Sequence, residues 1–189
     1  MRRFWLMLMV CGLSPVCLAQ LDILDMLTSK EGMAGTFEQQ IISPEGEPLE
    51  TSNGQFSLLR PDSMRWEIES PDRQLLIASG QQLTQIDWDL EMVIERHLAD
   101  RDPSILDWLL ASDKELEAAF VVEALEAKVV LTPREPSLTL TRLEIARATT
   151  LIWEIAVTDS TAQVLKISFF EDPARVPSAS DFVAPATDF

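Results

Sequence analysis

Apolar and polar positions along this chain repeat with a period of two far more often than with a period of 3.6. Phe37, Gln39 and Ile41 alternate with Glu38, Gln40 and Ile42, which predicts a half-buried strand from Thr36. Gly54 to Arg60 reads as a second strand, with Phe56 and Leu58 on one face. Met64, Trp66 and Ile68 against Arg65, Glu67 and Glu69 is the clearest alternation in the sequence. Gln74 to Ser79, Leu83 to Trp88 and Leu90 to Leu98 continue the series. The loop Ser43-Pro44-Glu45-Gly46-Glu47-Pro48, the turn at Pro71-Asp72 and the break at Gly80 punctuate it. Later strands are predicted at Phe120 to Glu123, Lys128 to Thr132, Leu138 to Ile145, Thr150 to Val157 and Val164 to Phe170. A short final one falls at Phe182-Val183.

Helical spacing occurs twice. Leu21, Leu24 and Leu27 fall on one side of a segment running to Lys30, which Glu31-Gly32 and Gly35 should end. Asp102-Pro103 is a helix start signal, and Ile105, Leu106, Leu109 and Leu110 form the apolar face that follows, with Trp108 beside them. The order is one helix, five or six strands, a second helix, and about five more strands. Short connections imply antiparallel neighbours, and runs of strands with two separate helices imply an α+β or barrel-like architecture. A curved sheet of this kind cups one apolar face, and the helices cover it.

The first residues change where this fold is placed. Arg2 and Arg3 precede an apolar run from Phe4 to Leu13, and Ser14 to Ala19 ends on a small residue. These are the parts of a secretory signal peptide, and the run is too short to span a bilayer, which takes about 20 residues. Cleavage after Ala19 is expected, leaving residues 20–189 as a single domain. Both cysteines, Cys11 and Cys17, lie in the leader, so the exported part carries no disulfide or thiol chemistry.

Charge narrows the partners. Fifteen basic and 31 acidic residues give a net charge of −16, and loss of the leader removes two more positive charges. A surface this acidic repels phosphate backbones and anionic membranes, which argues against nucleic-acid binding and for a product that stays in solution.

Candidate catalytic chemistry is thin. His97 is the only histidine, so it has no histidine or cysteine partner in the exported part with which to hold a metal. No Gly-x-Ser-x-Gly elbow and no glycine-rich phosphate loop is present. Asp87 and Asp89 are spaced to share a strand face, an arrangement more common on solvated surfaces than in acid–base pairs. No enzyme activity and no cofactor is expected.

One stretch carries a resemblance. Arg60-Pro61-Asp62-Ser63-Met64-Arg65-Trp66-Glu67-Ile68-Glu69-Ser70-Pro71 resembles the LolA family of periplasmic lipoprotein carriers, in which an Arg-Pro precedes a strand bearing a Trp and then a Pro. The likeness runs on through Gln74 to Leu83 and Ile86-Asp87-Trp88-Asp89-Leu90-Glu91. It also takes in Gly35-Thr36-Phe37-Glu38-Gln39 upstream and Val130-Leu131-Thr132-Pro133 downstream. Ile86 replaces a usual aromatic, Trp88 a usual proline, and Thr84 stands where many members have tryptophan.

The resemblance implies an incomplete antiparallel barrel with a helical lid over a hydrophobic cavity. It also implies a monomeric carrier that accepts acylated lipoproteins from an inner-membrane ATP-driven extractor and delivers them to an outer-membrane receptor. Phe56, Leu58, Met64, Trp66, Ile68, Leu106, Leu109 and Leu110 are the candidates for the cavity, though each would equally suit an ordinary core. Arg60 is the candidate latch for the lid, against the alternative of a surface salt bridge. A carrier of another lipid or glycolipid is the alternative within the same fold.

Overall fold

In the computed structural model of the protein, residues 28–98, 105–125 and 127–189 are described. The proposed leader, nearly all of the first predicted helix and the Asp102-Pro103 start signal lie outside them. Eleven strands form one sheet: β1 (Gly32–Ile42), β2 (Pro48–Leu59), β3 (Ser63–Ser70), β4 (Gln74–Ser79), β5 (Gln82–Asp87), β6 (Met92–His97), β7 (Phe120–Ala124), β8 (Lys128–Pro133), β9 (Arg142–Arg147), β10 (Ile152–Thr158) and β11 (Val164–Glu171). Between β6 and β7 come two short helices, α1 (Ile105–Leu110) and α2 (Asp113–Ala119).

The strand order is β6-β5-β4-β3-β2-β1-β11-β10-β9-β8-β7, with every neighbouring pair antiparallel. The first strand meets the last in the middle of the sheet, and β6 and β7 are the two edges. The chain must therefore travel from one edge to the other between them, and α1 and α2 sit on that crossing. This is an α+β fold: an unclosed barrel whose helices lie across its mouth.

Alternation sorts the side chains into two faces. On the concave face an aromatic band crosses the centre of the sheet. Phe37 stacks on Trp66 with ring centroids 3.8 Å apart, and Trp153 stacks on Phe169 at 3.9 Å and 4°. Phe169 also receives the edges of Phe56 at 5.2 Å and Trp66 at 5.8 Å. Around this band Leu58, Met64, Leu131, Leu143, Ile145, Ile155 and Ile167 complete one continuous core.

The convex face has a smaller core of Leu75, Ile77, Ile86 and Phe182, with Leu59 and Trp88 at its border. Phe182 closes a 3₁₀ turn (Ala179–Phe182) that packs against β3 and β4. The final strand expected at Phe182-Val183 is thus replaced by a turn that plugs the outer face. Trp88 belongs to the same arrangement. Its ring lies under the Arg73 guanidinium, 4.1 Å away, and its backbone N–H donates to the Arg73 carbonyl at 3.2 Å.

Three further differences from the sequence reading have physical causes. β1 begins at Gly32, because Gly35 is a strand residue. A Cβ there would lie 2.1 Å from the Phe170 carbonyl oxygen, so β11 approaches too closely for a side chain. β9 begins at Arg142 and not at Leu138, because Ser137 Oγ accepts the Leu140 N–H and holds the preceding residues in a turn. Helix α2 was not anticipated from apolar spacing, since Leu116 is its one fully buried residue.

Candidate functional site

The mouth of the half-barrel is built around the end of α1. A six-residue helix leaves the carbonyls of its last turn without partners inside the helix. Arg60, at the end of β2, supplies them. Its Nη1 donates to the Leu110 carbonyl at 2.5 Å and to the Ala111 carbonyl at 3.1 Å, and its Nη2 donates to the Leu109 carbonyl at 2.9 Å. Its Nε donates to the Lys30 carbonyl at 3.2 Å. The planar fork of a guanidinium suits several fixed acceptors at once. The positive charge also sits where a helix C-terminus is electronegative.

Half-burial pulls the Arg60 pKa below its ordinary value, and Asp113 and Glu115 push it back up. An arginine remains charged under such conditions. Lys30 is itself tied to Glu171 at the end of β11 by an ion pair of 2.6 Å. One network thus joins the segment before β1, the ends of β2 and β11, and the helices across the mouth.

Helix α2 starts with a capping box. Ser112 Oγ accepts the Glu115 N–H at 3.4 Å, and the Glu115 carboxylate accepts the Ser112 N–H at 2.8 Å. Hydrogen bonds from the Ser112 side chain and backbone hold the Glu115 carboxyl below the usual carboxylate range. The Ser112-x-x-Glu115 spacing was the sequence signal for this helix. At its other end, the Arg134 N–H donates to the Ala119 carbonyl at 2.9 Å, which fastens α2 to the strand beneath it.

Two clefts open beside these helices. A proximal cleft of about 620 Å³ is lined by Met64, Ala78, Leu98, Trp108 and Leu110, with Asp62, Asp107 and Glu115 also on its walls. A distal cleft of about 580 Å³ is lined by Trp108, Phe120, Pro133, Pro136, Leu138 and Leu140, with Arg134 and Glu135 among its polar groups. Trp108, Ala118 and Ala119 face both. Volumes of this size fall within the range of ligand pockets, about 300–1,000 Å³.

The candidate cavity residues divide between cleft and core. Met64 and Leu110 line the proximal cleft. Phe56, Leu58, Trp66 and Leu109 are buried in the packed concave core, and Ile68 is half-buried against it. None of these five lines either cleft. Leu106 belongs to α1, and its side chain is outside the described set. Sequence spacing did not single out Leu98, Ala118, Ala119, Phe120 or Leu140 as cleft walls. The pair of small residues Ala118-Ala119 at the end of a helix was the one available sign.

Asp87, Asp89 and His97 line neither cleft. Asp87 Oδ1 accepts the Leu90 N–H at 2.9 Å and its Oδ2 accepts from Gln74 Nε2 at 3.1 Å, while Asp89 Oδ2 accepts the Arg73 N–H at 2.9 Å. These two carboxylates build the turn after β5. His97 is exposed at the end of edge strand β6. Among the described residues no group of three or more His, Cys, Asp or Glu is placed to hold a metal ion, and no helix is long and apolar enough to cross a membrane.

Residues 28–183 match the family described as "Outer membrane lipoprotein carrier protein LolA". The chain belongs to the LolA family. An outer-membrane lipoprotein carrier protein of Alkalilimnicola ehrlichii is 32% identical over 160 residues, which cover 81% of this chain and 74% of that protein. The carrier of the same name from Chromohalobacter salexigens is 30% identical over 151 residues, covering 76% and 71%. The carrier of Vibrio cholerae is 38% identical over 89 residues, and there the match spans 47% of this chain and 45% of the relative. A crystal structure of a LolA superfamily protein from Nitrosomonas europaea superposes with a TM-score of 0.51. It covers 88% of this chain and 97% of that one at 11% identity, a likeness of fold. The LolA fold accounts for the unclosed sheet, and within it Arg60 and the two clefts occupy the mouth.

Proposed function

We propose that this LolA-family protein is a periplasmic carrier that shelters the acyl chains of lipoproteins beneath α1 and α2. It takes them from an ATP-driven extractor in the inner membrane and passes them to a receptor at the outer membrane. The observation that carries this reading is Arg60: a single strand-end guanidinium holds three consecutive carbonyls at the end of a helix that roofs two apolar clefts. The names of the relatives supply the class of cargo.

The physics asks for such a device. Burying an acyl chain is worth about 0.8 kcal/mol per methylene, so a chain of about sixteen carbons gains on the order of 12 kcal/mol and does not leave a membrane unaided. A carrier must match that gain in part and still release the chain. Hydrogen bonds that hold the lid shut when the clefts are empty oppose loading. They lower the net affinity and let a receptor compete, since handover depends on the difference in affinity between states. Wall residues now packed in the core, such as Leu109 and Trp66, become available to cargo as the lid moves. The acidic surface keeps the loaded carrier off anionic membranes.

The test uses inner-membrane vesicles bearing a labelled acylated lipoprotein and the energised extractor. Addition of the protein is expected to bring the lipoprotein into the soluble fraction as a complex. Retention of all label in the vesicles would overturn the reading. A different lipid or glycolipid identified by mass spectrometry in protein purified from the periplasm would redirect it to another cargo.

A further inference from the structure

We propose that Glu171 is a positioning residue of the lid: acting through Lys30, it aims the Arg60 guanidinium at the end of α1. The proposal rests on the carrier reading with Arg60 as its latch, and it adds the residue that sets the latch.

A guanidinium is planar and carries its donors in one rigid fork, so fixing Nε fixes the directions in which both Nη atoms donate. In Arg60 the Nε–H goes to the Lys30 carbonyl at 3.2 Å, while Nη1 and Nη2 reach the carbonyls of Leu109, Leu110 and Ala111. The Lys30 carbonyl is the rest against which the fork is aimed.

Lys30 lies outside the sheet, two residues before β1. Its neighbour Glu31 accepts the Arg60 backbone N–H at 2.8 Å, but that bond comes from the residue being positioned. The ion pair with Glu171 is an anchor independent of Arg60. Lys30 Nζ donates to both carboxylate oxygens of Glu171, each at 2.6 Å. The Glu171 side chain is 9% exposed against 33% for Lys30, so the acid is the fixed member of the pair.

The backbone of Glu171 is held on both sides. Its N–H donates to the Leu151 carbonyl at 2.9 Å, and the N–H of the next residue, Asp172, donates to the Ala34 carbonyl at 2.9 Å. Glu171 stands opposite Gly35 on the seam where the first and last strands meet. It passes the rigidity of that seam to a segment outside the ladder. A latch set in this way holds the lid at a defined strength, and the difference in affinity between states depends on that strength. Neither Lys30 nor Glu171 lines the proximal or the distal cleft, so their substitution alters the latch and leaves the cleft walls as they are.

Hydrogen–deuterium exchange of the cargo-free protein tests the proposal, since it reads local opening segment by segment. Glu171→Gln keeps the shape and removes the charge, and Lys30→Met removes the partner from a segment outside the sheet. Each is expected to raise amide exchange across 105–119 about three-fold to five-fold, the range of a partly exposed ion pair, and to leave β10 and β11 within about two-fold of wild type. The two together are expected to do no more than either alone. In an Arg60→Leu background, already raised about ten-fold or more, neither adds, because residues that act through one contact are not additive. A residue that merely supported the sheet would loosen β10 and β11 and would add to Arg60→Leu.

Wild-type exchange in the helices of either variant, exchange raised equally in β10 and β11, or full addition to Arg60→Leu would overturn the positioning role. Unchanged helix exchange in Arg60→Leu itself would instead strike the latch on which the proposal rests. Far-UV circular dichroism of each variant shows that the sheet is intact. Should Glu171→Gln lose its fold, Lys30→Met decides alone.

Discussion

The Nη2 of Arg60 lies 2.9 Å from the carbonyl oxygen of Leu109, forty-nine residues further along the chain. The contact joins the end of a central strand to the end of a helix that crosses the mouth of the sheet. Replacement by leucine strands three carbonyls and removes the guanidinium that ties the helix end to the strand. A hydrogen bond to a charged group contributes about 1.5–3 kcal/mol, and partial exposure brings the site toward the lower end. Arg60→Leu is expected to raise amide exchange across 105–119 about ten-fold or more, with little change in β2 to β4. In the transfer reaction the same variant should load cargo and release it poorly. Arg60→Lys should recover only a fraction, because an ammonium cannot reach three acceptors in one plane. Unchanged exchange in the helices of Arg60→Leu would remove the latch.

Gly54 tests the packing of the sheet itself. A Cβ at this position would lie 1.8 Å from the Glu67 carbonyl oxygen, where β2 shifts register against β3. Gly54→Ala therefore has to push two backbones apart, at a cost of about 1–3 kcal/mol or more. Urea denaturation should show the midpoint fall with the slope unchanged. An unaltered midpoint would mean that the bulge is more compliant than its geometry states.

The outer core predicts a role for the tail in stability. Phe182 is fully buried with Leu75, Ile77 and Ile86, and Arg175 Nη1 donates to Gln55 Oε1 at 2.7 Å to lead the chain there. Removing a buried aromatic ring costs about 3 kcal/mol or more. Phe182→Ala is expected to lower stability by that order and to make the segment after Glu171 the first site of limited proteolysis. Wild-type protease resistance in this variant would show that the tail is held elsewhere.

Acid should weaken the fold through Glu67 and Glu144. Burial raises both carboxyls, but hydrogen bonds and charge from Arg65 and Arg73 on one, and from Lys128 and Arg142 on the other, outweigh it, so both fall below the usual range. A carboxylate with a lower pKa in the folded state stabilises the fold fully above its unfolded value, about 4.3. That stabilisation is lost as the pH drops through the folded value. Melting temperature should hold steady near neutrality and decline below about pH 4.3. The double variant Glu67→Gln, Glu144→Gln should start lower at pH 7 and decline less. Parallel curves for the two proteins would exclude these residues as the cause.

Much of the sheet is legible in the sequence because alternation and burial agree there. Met64, Trp66 and Ile68 face the core as their spacing implies, and Gln74–Ser79 matches its strand end to end. The first half of β1 is not legible. Gly32 and Gly35 read as stops, yet Gly35 is demanded by β11, a neighbour far away in the chain. Helix α2 escapes for the opposite reason: its local signal, the Ser112–Glu115 box, is strong, but it buries too little to show a stripe. The site was half legible. Arg60 stood out by its motif, while the cleft walls come from alanines, prolines and loop leucines whose proximity depends on the crossing of the mouth, which no local pattern encodes.

The pairing of β1 with β11 has a consequence for how the molecule is made. A chain that emerges N-terminus first can zip β1 through β6 into a meander at once, but the free side of β1 must wait for almost everything else. Until β11 emerges, that strand shows an unpaired row of backbone donors and acceptors, the kind of edge that recruits other chains. Closing the seam brings together partners of large sequence separation, a slow step. The nascent protein is therefore at greatest risk of misassembly just before its last strand arrives, and a holdase that shields this seam would speed its maturation more than one that shields the helices.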